Sequence, residues 1–388
     1  MKKIGFLALV LLLLFLPCTS IFAENARKTG AEYTISADKF DARSLALMEA
    51  DTGRVILAGN ERASYSPASV TKIMTLLLVA EALDNGSISL DQKVIVSEYA
   101  ASMGGSQVFL EVGEEMSVEE LIKCTVIASA NDAAVALAEL VSGSESDFVD
   151  AMNRRAAELG MENSCFENVT GLDDDTEKHM TSALDIAIMS RELIKHSVIL
   201  KYSSLWQDSI RDGEFTLTNT NRLVRYYDGC NGLKTGSTDK AGYCISVTAQ
   251  RDGMTLIAVV MGAKSSNERN SIAKQMLDYG FANYGLYKCD EASVGNACVN
   301  FGVKDGVILY SSPESFLVEK SALGRIEKVL SIPESLTAPI VPYDSVGKVE
   351  YMLDGKKIGE GRVYSVEEIE KITFFKLYWR VICAVINK

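Results

Sequence analysis

The sequence contains little of what a histidine-dependent metal site or a zinc–thiolate site requires. It has two histidines, His179 and His196, among 388 residues, and no two of its eight cysteines have C-x-x-C spacing. A three-histidine zinc site is therefore excluded, and the usual cysteine pairs of zinc motifs are absent. We accordingly expect neither a metal ion nor another cofactor.

Positive charge is also scarce. The 52 Asp and Glu residues outnumber the 39 Lys and Arg residues, which gives a formal net charge of −13. This charge repels phosphate backbones, so nucleic acid is not an expected partner. Prolines are few, six in all, whereas 47% of the residues are hydrophobic. The chain is therefore long enough and apolar enough to form about two domains with a buried core.

The N-terminal residues have the layout of a secretory signal. Lys2 and Lys3 precede an apolar run from Ile4 to Leu16, which is followed by Pro17 and then by Ala23. We therefore predict that residues 1–23 are a signal peptide cleaved after Ala23 and that the protein is secreted across the cytoplasmic membrane. An uncleaved anchor helix is the alternative.

The cysteines do not describe a disulfide framework. Seven remain after the predicted signal peptide, at irregular spacings, and an odd number cannot all pair within one chain. Cys124 and Cys244 lie in apolar runs, so we expect them to be small buried hydrophobic side chains rather than reactive thiols.

The C-terminal residues combine positive charge with aromatic side chains. Four basic residues and no acidic residue occur from Lys371 to Lys388. We predict that residues 367–388 are an amphipathic tail that lies on an anionic membrane surface, with Trp379 at headgroup depth and Arg380 extended towards the lipid headgroups. A terminal helix packed on the body of the protein is the alternative.

The first part of the chain alternates helical and strand patterns. Two apolar runs between Ser44 and Asn60 flank Asp51-Thr52-Gly53, which predicts a β-hairpin. The apolar run from Ala68 to Leu83 predicts a buried helix. Ser117 and Glu120 form a capping box for a helix that ends near Ile127. Further elements are predicted as helices at 147–159, 182–194 and 269–284 and as strands at 242–250 and 254–262.

The pattern of apolar residues and prolines changes beyond Cys289. Short alternating apolar segments are separated by four of the six prolines. We predict a small all-β domain at residues 291–366, after a first domain at residues 24–290.

The first chemistry-bearing motif is Ser69-Val70-Thr71-Lys72, at the start of the predicted buried helix. A three-residue offset places the side chains of Ser69 and Lys72 on one helical face, close enough for the amine to take the hydroxyl proton. The helix N-terminus and the apolar surroundings disfavour the ammonium form, so Lys72 can act as a neutral base.

Two further polar motifs follow. Ser129-Ala130-Asn131 falls in a break between two helices, where polar side chains can project into a cleft; a helix cap at Asn131-Asp132 is the alternative. Lys234-Thr235-Gly236 precedes a strand, and its cation and hydroxyl can receive a carboxylate. The missing side chain of Gly236 would let a substrate lie against the backbone, although such a tripeptide is often a solvated turn.

The three motifs carry more information together than alone. In this order, and on a helix, a loop and a strand, they form the serine acyl-transfer constellation of penicillin-binding proteins and class A β-lactamases. Over nearly all of the mature sequence the chain resembles the low-molecular-mass penicillin-binding proteins that are D-alanyl-D-alanine carboxypeptidases. The other stretches that carry the resemblance are Ser66-Pro67-Ala68, Gly104-Gly105-Ser106, residues 128–133, Gly171-Leu172-Asp173 with His179, and residues 234–243.

The resemblance implies an α+β, penicilloyl-serine transferase fold. In this fold a helical cluster packs on a five-stranded antiparallel sheet, with the site between them, and a small all-β domain follows. The implied activity is removal of the terminal D-alanine from peptidoglycan stem pentapeptides, with β-lactam antibiotics as inhibitors. The implied location is the outer face of the cytoplasmic membrane.

The resemblance also implies roles for the motif residues. Ser69 would be the acylated nucleophile and Lys72 its general base. Ser129 would relay a proton to the leaving D-alanine, and Asn131 would hold the substrate amide.

The remaining implied roles concern substrate charge. Lys234 and Thr235, beside Gly236, would bind the terminal carboxylate, and the backbone N–H groups of Ser69 and Ser237 would form the oxyanion hole. Arg269 is a looser match for a carboxylate-binding arginine, and a surface residue at a helix start is the alternative.

Other functions remain open at this level. His179 resembles a family position outside the catalytic set, so we expect a structural role and no Ser-His-Asp triad. A β-lactamase would also be acylated at Ser69, but the Glu-x-x-Leu-Asn segment that would serve deacylation is absent from the sequence. An endopeptidase that cuts cross-links and a catalytically idle wall-binding scaffold are further alternatives.

Overall fold

The computed structural model describes residues 35–174 and 176–386, so the predicted signal peptide lies outside the described residues. The helices are α1 (Lys72–Asp84), α2 (Glu98–Ala101), α3 (Val118–Lys123), α4 (Asn131–Ser142), α5 (Glu145–Glu158), α6 (Ala183–Leu193), α7 (Ser197–Ser203), α8 (Leu223–Tyr226), α9 (Ser266–Asn283) and α10 (Phe374–Ile386).

Seventeen strands accompany these helices in the described residues. They are β1 (Ser44–Glu49), β2 (Val55–Gly59), β3 (Lys93–Ile95), β4 (Glu115–Ser117), β5 (Gln207–Ile210), β6 (Phe215–Thr218), β7 (Cys230–Thr238), β8 (Gly242–Arg251), β9 (Met254–Ala263), β10 (Tyr284–Cys289), β11 (Ala292–Asn300), β12 (Gly306–Ser311), β13 (Glu314–Glu319), β14 (Ile326–Ser331), β15 (Ser335–Thr337), β16 (Ser345–Leu353) and β17 (Lys356–Tyr364).

The centre of the first domain is a five-stranded antiparallel sheet with the order β2-β1-β9-β8-β7. Successive side chains of β1 point to opposite faces, and both faces are buried. Leu45 and Leu47 join an apolar cluster with α9, whereas Ala46 and Met48 join the larger cluster formed with the other helices. The predicted sheet and the predicted hairpin are both confirmed.

Helix α1 is the buried helix that the apolar run predicted. Nine of its thirteen residues are buried, so it is apolar nearly all round and lies inside the helical cluster. Its first turn differs from the prediction, because residues Ala68–Thr71 form a 3₁₀ turn before the α-helix begins at Lys72. In a 3₁₀ turn residues three apart are eclipsed, which brings Ser69 and Lys72 directly over one another.

Two other helix starts differ from the sequence predictions. Asn131 is the first residue of α4, and the N-cap is Ala130, so the alternative of a helix cap at Asn131 is wrong. Helix α9 begins at Ser266, three residues earlier than predicted, because the Ser265 side chain accepts the N–H of Glu268. Arg269 therefore lies within the first turn of a helix that packs on the sheet. Its side chain is 6% exposed, which rules out a surface position.

The C-terminal region is the predicted small all-β domain. Six strands form a sheet with the order β14-β16-β17-β12-β11-β15. Its core contains Val299, Leu309, Val363 and Ile369. Strand β10 precedes residue 291 but pairs with β13, so the chain begins its hydrogen bonding to this region before the predicted boundary.

The tail forms helix α10, on which most aromatic side chains are exposed. Phe375 is 82% exposed and Trp379 is 67% exposed. The predicted lipid-facing position of Arg380 is wrong, because its guanidinium pairs with Asp305 at 2.5 Å and donates to the carbonyl of Val303 at 2.8 Å. These contacts use the charge of Arg380 to hold α10 against the all-β domain.

The described residues contain no helix that is long and apolar enough to span a membrane. In the same part of the chain no three or more His, Cys, Asp or Glu side chains are grouped as metal ligands would be. The seven described cysteines are free, and Cys124 and Cys244 are fully buried, as predicted.

Candidate active site

The candidate active site lies where the first turn of the helical cluster meets the edge strand β7. Pro67 leads into the 3₁₀ turn, whose first residue, Ala68, has a φ of 49°, which is unusual for a residue with a Cβ. This conformation, which costs energy, immediately precedes Ser69. The Ser69 side chain is partly exposed, so its hydroxyl can reach a substrate.

Lys72 is fully buried directly beneath Ser69. Its Nζ lies 3.1 Å from Ser69 Oγ, and it donates to Asn131 Oδ1 at 2.5 Å and to the carbonyl of Thr170 at 2.8 Å. Burial lowers the pKa of the Lys72 ammonium well below its usual value, the charge of Lys234 lowers it further, and Asp132 opposes these effects. The amine next to Ser69 is therefore suited to accept a proton.

Asn131 connects the lysine to a neighbouring loop. Besides accepting from Lys72, its side chain donates through Nδ2 to the carbonyl of Gly104 at 2.7 Å, and its backbone N–H donates to Ser106. A Cβ at Gly105 would come within 2.9 Å of this Nδ2. The side chain is thus used for tertiary contacts within the site, which is why it does not cap α4.

Ser129 approaches the site from the opposite side of the cleft. It follows a π-helical turn, Cys124–Ala128, and has a left-handed backbone with a φ of 65°. π-Turns and left-handed residues of this kind occur frequently at functional sites. The conformation places Ser129 Oγ 2.7 Å from the Nζ of Lys234 on β7, and both side chains are buried.

Lys234 is one of three buried basic side chains, together with Lys72 and Arg269. Burial lowers the pKa of Lys234 to about 7, and the charge of Arg269 contributes to this lowering. Burial likewise lowers the pKa of Arg269 to about 10. Arg269 donates to the carbonyl of Cys244, a residue opposite Gly236 in the β7–β8 ladder, which puts its guanidinium behind the Lys-Thr-Gly segment. Three basic groups close together favour an anionic ligand.

Gly236 provides the closest approach between the two halves of the site. A Cβ at this position would lie 2.8 Å from the backbone N of Ser69 and 2.9 Å from both Pro67 O and Val70 N. The predicted reason for this glycine is therefore wrong, because the space of its missing side chain is filled by the Ser69 turn rather than left for a substrate. The close approach places the backbone of Gly236, which directly precedes Ser237, near the N–H of Ser69.

Thr235 ties the same strand to the helical side of the cleft. Its Oγ1 donates to Thr220 Oγ1 at 2.8 Å, and the Thr220 N–H donates to the carbonyl of Ile127 in the π-turn. Thr220 was not predicted from the sequence, where nothing distinguishes it from its neighbours.

His179 lies behind the nucleophile turn, as expected for a structural residue. Its Nδ1 accepts the N–H of Glu167 at 3.0 Å, so the proton is on Nε2, which donates to Thr71 Oγ1 over 2.7 Å. Burial lowers the pKa of His179 to about 4, so it is neutral near pH 7. His196, the other histidine, pairs with Asp84 at the far end of α1.

Two family models match the chain. One, described as D-alanyl-D-alanine carboxypeptidase, matches residues 31–265, and the other, described as penicillin-binding protein 5, C-terminal domain, matches residues 281–371. The chain belongs to the D-alanyl-D-alanine carboxypeptidase family.

Similar proteins match between 62% and 95% of the chain. D-alanyl-D-alanine carboxypeptidase DacF of Bacillus subtilis (strain 168) is 42% identical over 378 residues, which are 95% of this chain and 95% of that protein. Penicillin-binding protein 5 from Haemophilus influenzae has a TM-score of 0.75 at 30% identity and covers 87% of this chain and 100% of its own. Penicillin-binding protein D2 from Listeria monocytogenes, in an ampicillin-bound form, has a TM-score of 0.58 at 31% identity. It covers 62% of this chain and 98% of its own.

The lysine pair of this carboxypeptidase family member leads to a prediction about pH. In the implied role of general base Lys72 must be neutral, so we expect activity to rise with pH through its lowered pKa. In the implied role of carboxylate binder Lys234 must be charged, so we expect activity in the free enzyme to fall as pH rises past about 7. We expect a bell-shaped profile for kcat/KM, and a bound carboxylate moves the descending limb of kcat to higher pH.

The measurement is the rate of acylation by benzylpenicillin between pH 5 and 10, for the wild type and for Lys234→Arg. Arginine keeps its charge over this range, so the descending limb should move upward or disappear in the variant. A wild-type rate that climbs steadily to pH 10 would show that no essential cation is lost there.

Proposed function

We propose that this protein is a serine-type D-alanyl-D-alanine carboxypeptidase that removes the terminal D-alanine from peptidoglycan stem pentapeptides. The observation that carries the proposal is the buried Lys72 amine, 3.1 Å from Ser69 Oγ and with a lowered pKa. This pair can generate a serine nucleophile without a histidine.

In the first step, Ser69 Oγ attacks the carbonyl carbon of the penultimate residue while its proton moves to Lys72 Nζ. The N–H groups of Ser69 and Ser237 stabilise the negative charge on the carbonyl oxygen, a contribution of about 3 kcal/mol for each donor in hydrolases of this kind. Gly236 supports this assignment, since the backbone of β7 meets the Ser69 turn there.

In the second step, the carbon–nitrogen bond breaks and D-alanine leaves. Ser129 Oγ accepts a hydrogen bond from Lys234 and gives its own proton to the leaving amine. The proton that Lys72 took from Ser69 then replaces it, so no alkoxide is left on Ser129. Lys234 and Arg269 supply the charge that holds the terminal carboxylate, and Thr235 supplies a hydroxyl. Asn131 positions both the substrate amide and the Lys72 amine.

In the third step, water hydrolyses the ester on Ser69. The rate of this step after reaction with penicillin distinguishes a penicillin-binding carboxypeptidase from a β-lactamase. Class A enzymes use a glutamate and a water for this step. Among the hydrogen bonds of the described residues, none joins an Asp or Glu carboxylate to Ser69 or Lys72. We therefore expect slow deacylation after reaction with penicillin, as in a penicillin-binding carboxypeptidase rather than a β-lactamase.

The test of the activity is release of D-alanine from a synthetic stem pentapeptide by the protein lacking residues 1–23. We expect release by the wild type and none by Ser69→Ala. A folded wild type that releases no D-alanine would contradict the proposal and favour the idle scaffold.

We also propose that the protein is secreted and held on the outer face of the cytoplasmic membrane by α10. The predicted signal peptide at residues 1–23 and the exposed aromatic side chains of α10 support this location. Lys371 and Lys376 add positive charge that would attract anionic lipids.

The expected result is flotation of the mature protein with vesicles of anionic phospholipid. Because burying one large apolar side chain contributes about 1.5–3 kcal/mol, the double variant Phe375→Ser and Trp379→Ser should bind at least about tenfold more weakly. Tyr226→Ser is the matched control, since Tyr226 is equally exposed but lies in the first domain. Failure of the wild type to float would contradict membrane attachment.

A further inference from the structure

Asp173 joins the two halves of the active site through one oxygen atom. Its Oδ2 accepts from Ser66 Oγ at 2.8 Å and from Thr238 Oγ1 at 2.6 Å. Ser66 lies three residues before Ser69, and Thr238 directly follows Ser237. The carboxylate therefore bridges the two segments whose backbone N–H groups are proposed to form the oxyanion hole.

The direction of both hydrogen bonds is defined by the surroundings. Thr238 Oγ1 accepts the N–H of Ala241 at 3.0 Å, which leaves its own proton for Asp173. Ser66 is 5% exposed, and its hydroxyl donates to the same oxygen. Hydrogen bonds to a charged acceptor are stronger than those between neutral groups, so the bridge resists separation of the two segments.

The loop that carries Asp173 is itself held against the nucleophile turn. Gly171 has a φ of 83°, and a Cβ there would lie 1.9 Å from the carbonyl oxygen of Ala68, so the backbones are in direct contact. The preceding residue, Thr170, accepts from Lys72 through its carbonyl. Asn168 accepts the N–H of Gly171 at 2.7 Å and donates to the carbonyl of Leu172 at 2.7 Å. These contacts hold the residues that precede Asp173 against the nucleophile turn.

We propose that Asp173 is a positioning residue that sets the distance between the Ser69 turn and strand β7, and with it the spacing of the two oxyanion-hole donors. This inference rests on the proposed function, since it concerns the rate of the same acyl transfer. Strand β7 is an edge strand of the sheet and has a partner strand on one side only. On its other side, contacts such as the Asp173 bridge hold the strand in position. Asp173 makes none of the hydrogen bonds of Ser69 or Lys72, which distinguishes its role from that of a general base.

The test compares Asp173→Ala, Asp173→Asn and Asp174→Ala in D-alanine release and in acylation by benzylpenicillin, normalised to the number of acylatable sites. Because displacement of a reacting group by about 1 Å can cost about 100-fold, we expect Asp173→Ala to lower kcat and the acylation rate by roughly 30- to 100-fold. KM should change little, because the oxyanion is bound only in the transition state. Asparagine keeps an acceptor oxygen, so Asp173→Asn should retain activity within about tenfold of the wild type. The exposed neighbour Asp174 is the matched control and should have no effect.

A second variant keeps the inference testable if Asp173→Ala does not fold. Thr238→Val removes one of the two hydrogen bonds to Asp173 at nearly constant side-chain volume, and it should lower kcat as Asp173→Ala does. The double variant with Asp173→Asn should have no lower kcat than Thr238→Val alone. Wild-type kcat in both Asp173→Ala and Thr238→Val would overturn the inference, as would a loss that disappears after normalisation to acylatable sites. An inactive wild type would instead contradict the proposed function.

Discussion

We expect the Lys72→Ala variant to be acylated by benzylpenicillin at least about 1000-fold more slowly than the wild type at pH 7. The Lys72 amine is fully buried and is 3.1 Å from Ser69 Oγ, so no solvent base can replace it at the same position. Its lowered pKa gives a larger neutral fraction near pH 7 than a free lysine has. A 1000-fold loss corresponds to about 4 kcal/mol of transition-state stabilisation.

The controls separate loss of the base from loss of the fold. Removing Lys72 also removes the unfavourable burial of its amine, so we expect little change in melting temperature. Lys72→Arg keeps a cation but supplies no base near pH 7 and should be equally slow. Lys274→Ala, at an exposed ion pair on α9, should acylate normally. Unchanged acylation in Lys72→Ala would remove this residue from the mechanism.

The second large effect is expected from Gly236→Ala. The new Cβ would lie 2.8–2.9 Å from three backbone atoms of the Ser69 turn, and backbone atoms cannot rotate aside as a side chain can. Strand β7 must therefore move outwards, which separates the oxyanion-hole donors. Because loss of one such donor costs about 100- to 1000-fold, we expect acylation to slow by at least about 100-fold.

A glycine elsewhere in a strand provides the comparison. At Gly306, at the start of β12, a Cβ would meet only one atom, at 3.6 Å, which is an ordinary contact. Gly306→Ala should leave both acylation and the melting temperature unchanged. Wild-type acylation in a folded Gly236→Ala variant would show that the close approach of β7 to the Ser69 turn is not needed for the chemistry.

The candidate active site is basic, although the chain as a whole is acidic. The formal net charge is −13, yet Lys72, Lys234 and Arg269 are buried close enough for their charges to affect one another's pKa in a chain from Arg269 to Lys234 to Lys72. Each pays a desolvation cost that lowers its pKa. An anionic peptide terminus would offset part of this cost on binding, which explains why a buried cationic group can persist there.

Local sequence patterns predicted much of the fold and part of the site. The three-residue offset from Ser69 to Lys72 determines their contact, because both belong to one helical turn. The Ser117 capping box and the β8–β9 hairpin depend on neighbouring residues and are present as predicted.

Features that depend on distant residues could not be predicted in this way. Gly236 faces backbone that is about 170 positions away in the sequence, so its reason for being glycine is visible only in the folded protein. A helix cap at Asn131 stayed open as an alternative because its contact with Lys72 lies 59 positions away. Arg380 was assigned to the lipid surface because nothing in the tail indicates its partner Asp305.

The most direct test of the acyl-enzyme on Ser69 is intact-mass spectrometry of the mature protein after incubation with benzylpenicillin, followed over hours. We predict a mass increase of one drug molecule that persists, maps to Ser69 and is absent from Ser69→Ala. Rapid loss of the drug without an adduct would indicate a β-lactamase, and neither adduct nor drug loss would contradict the acyl-enzyme account.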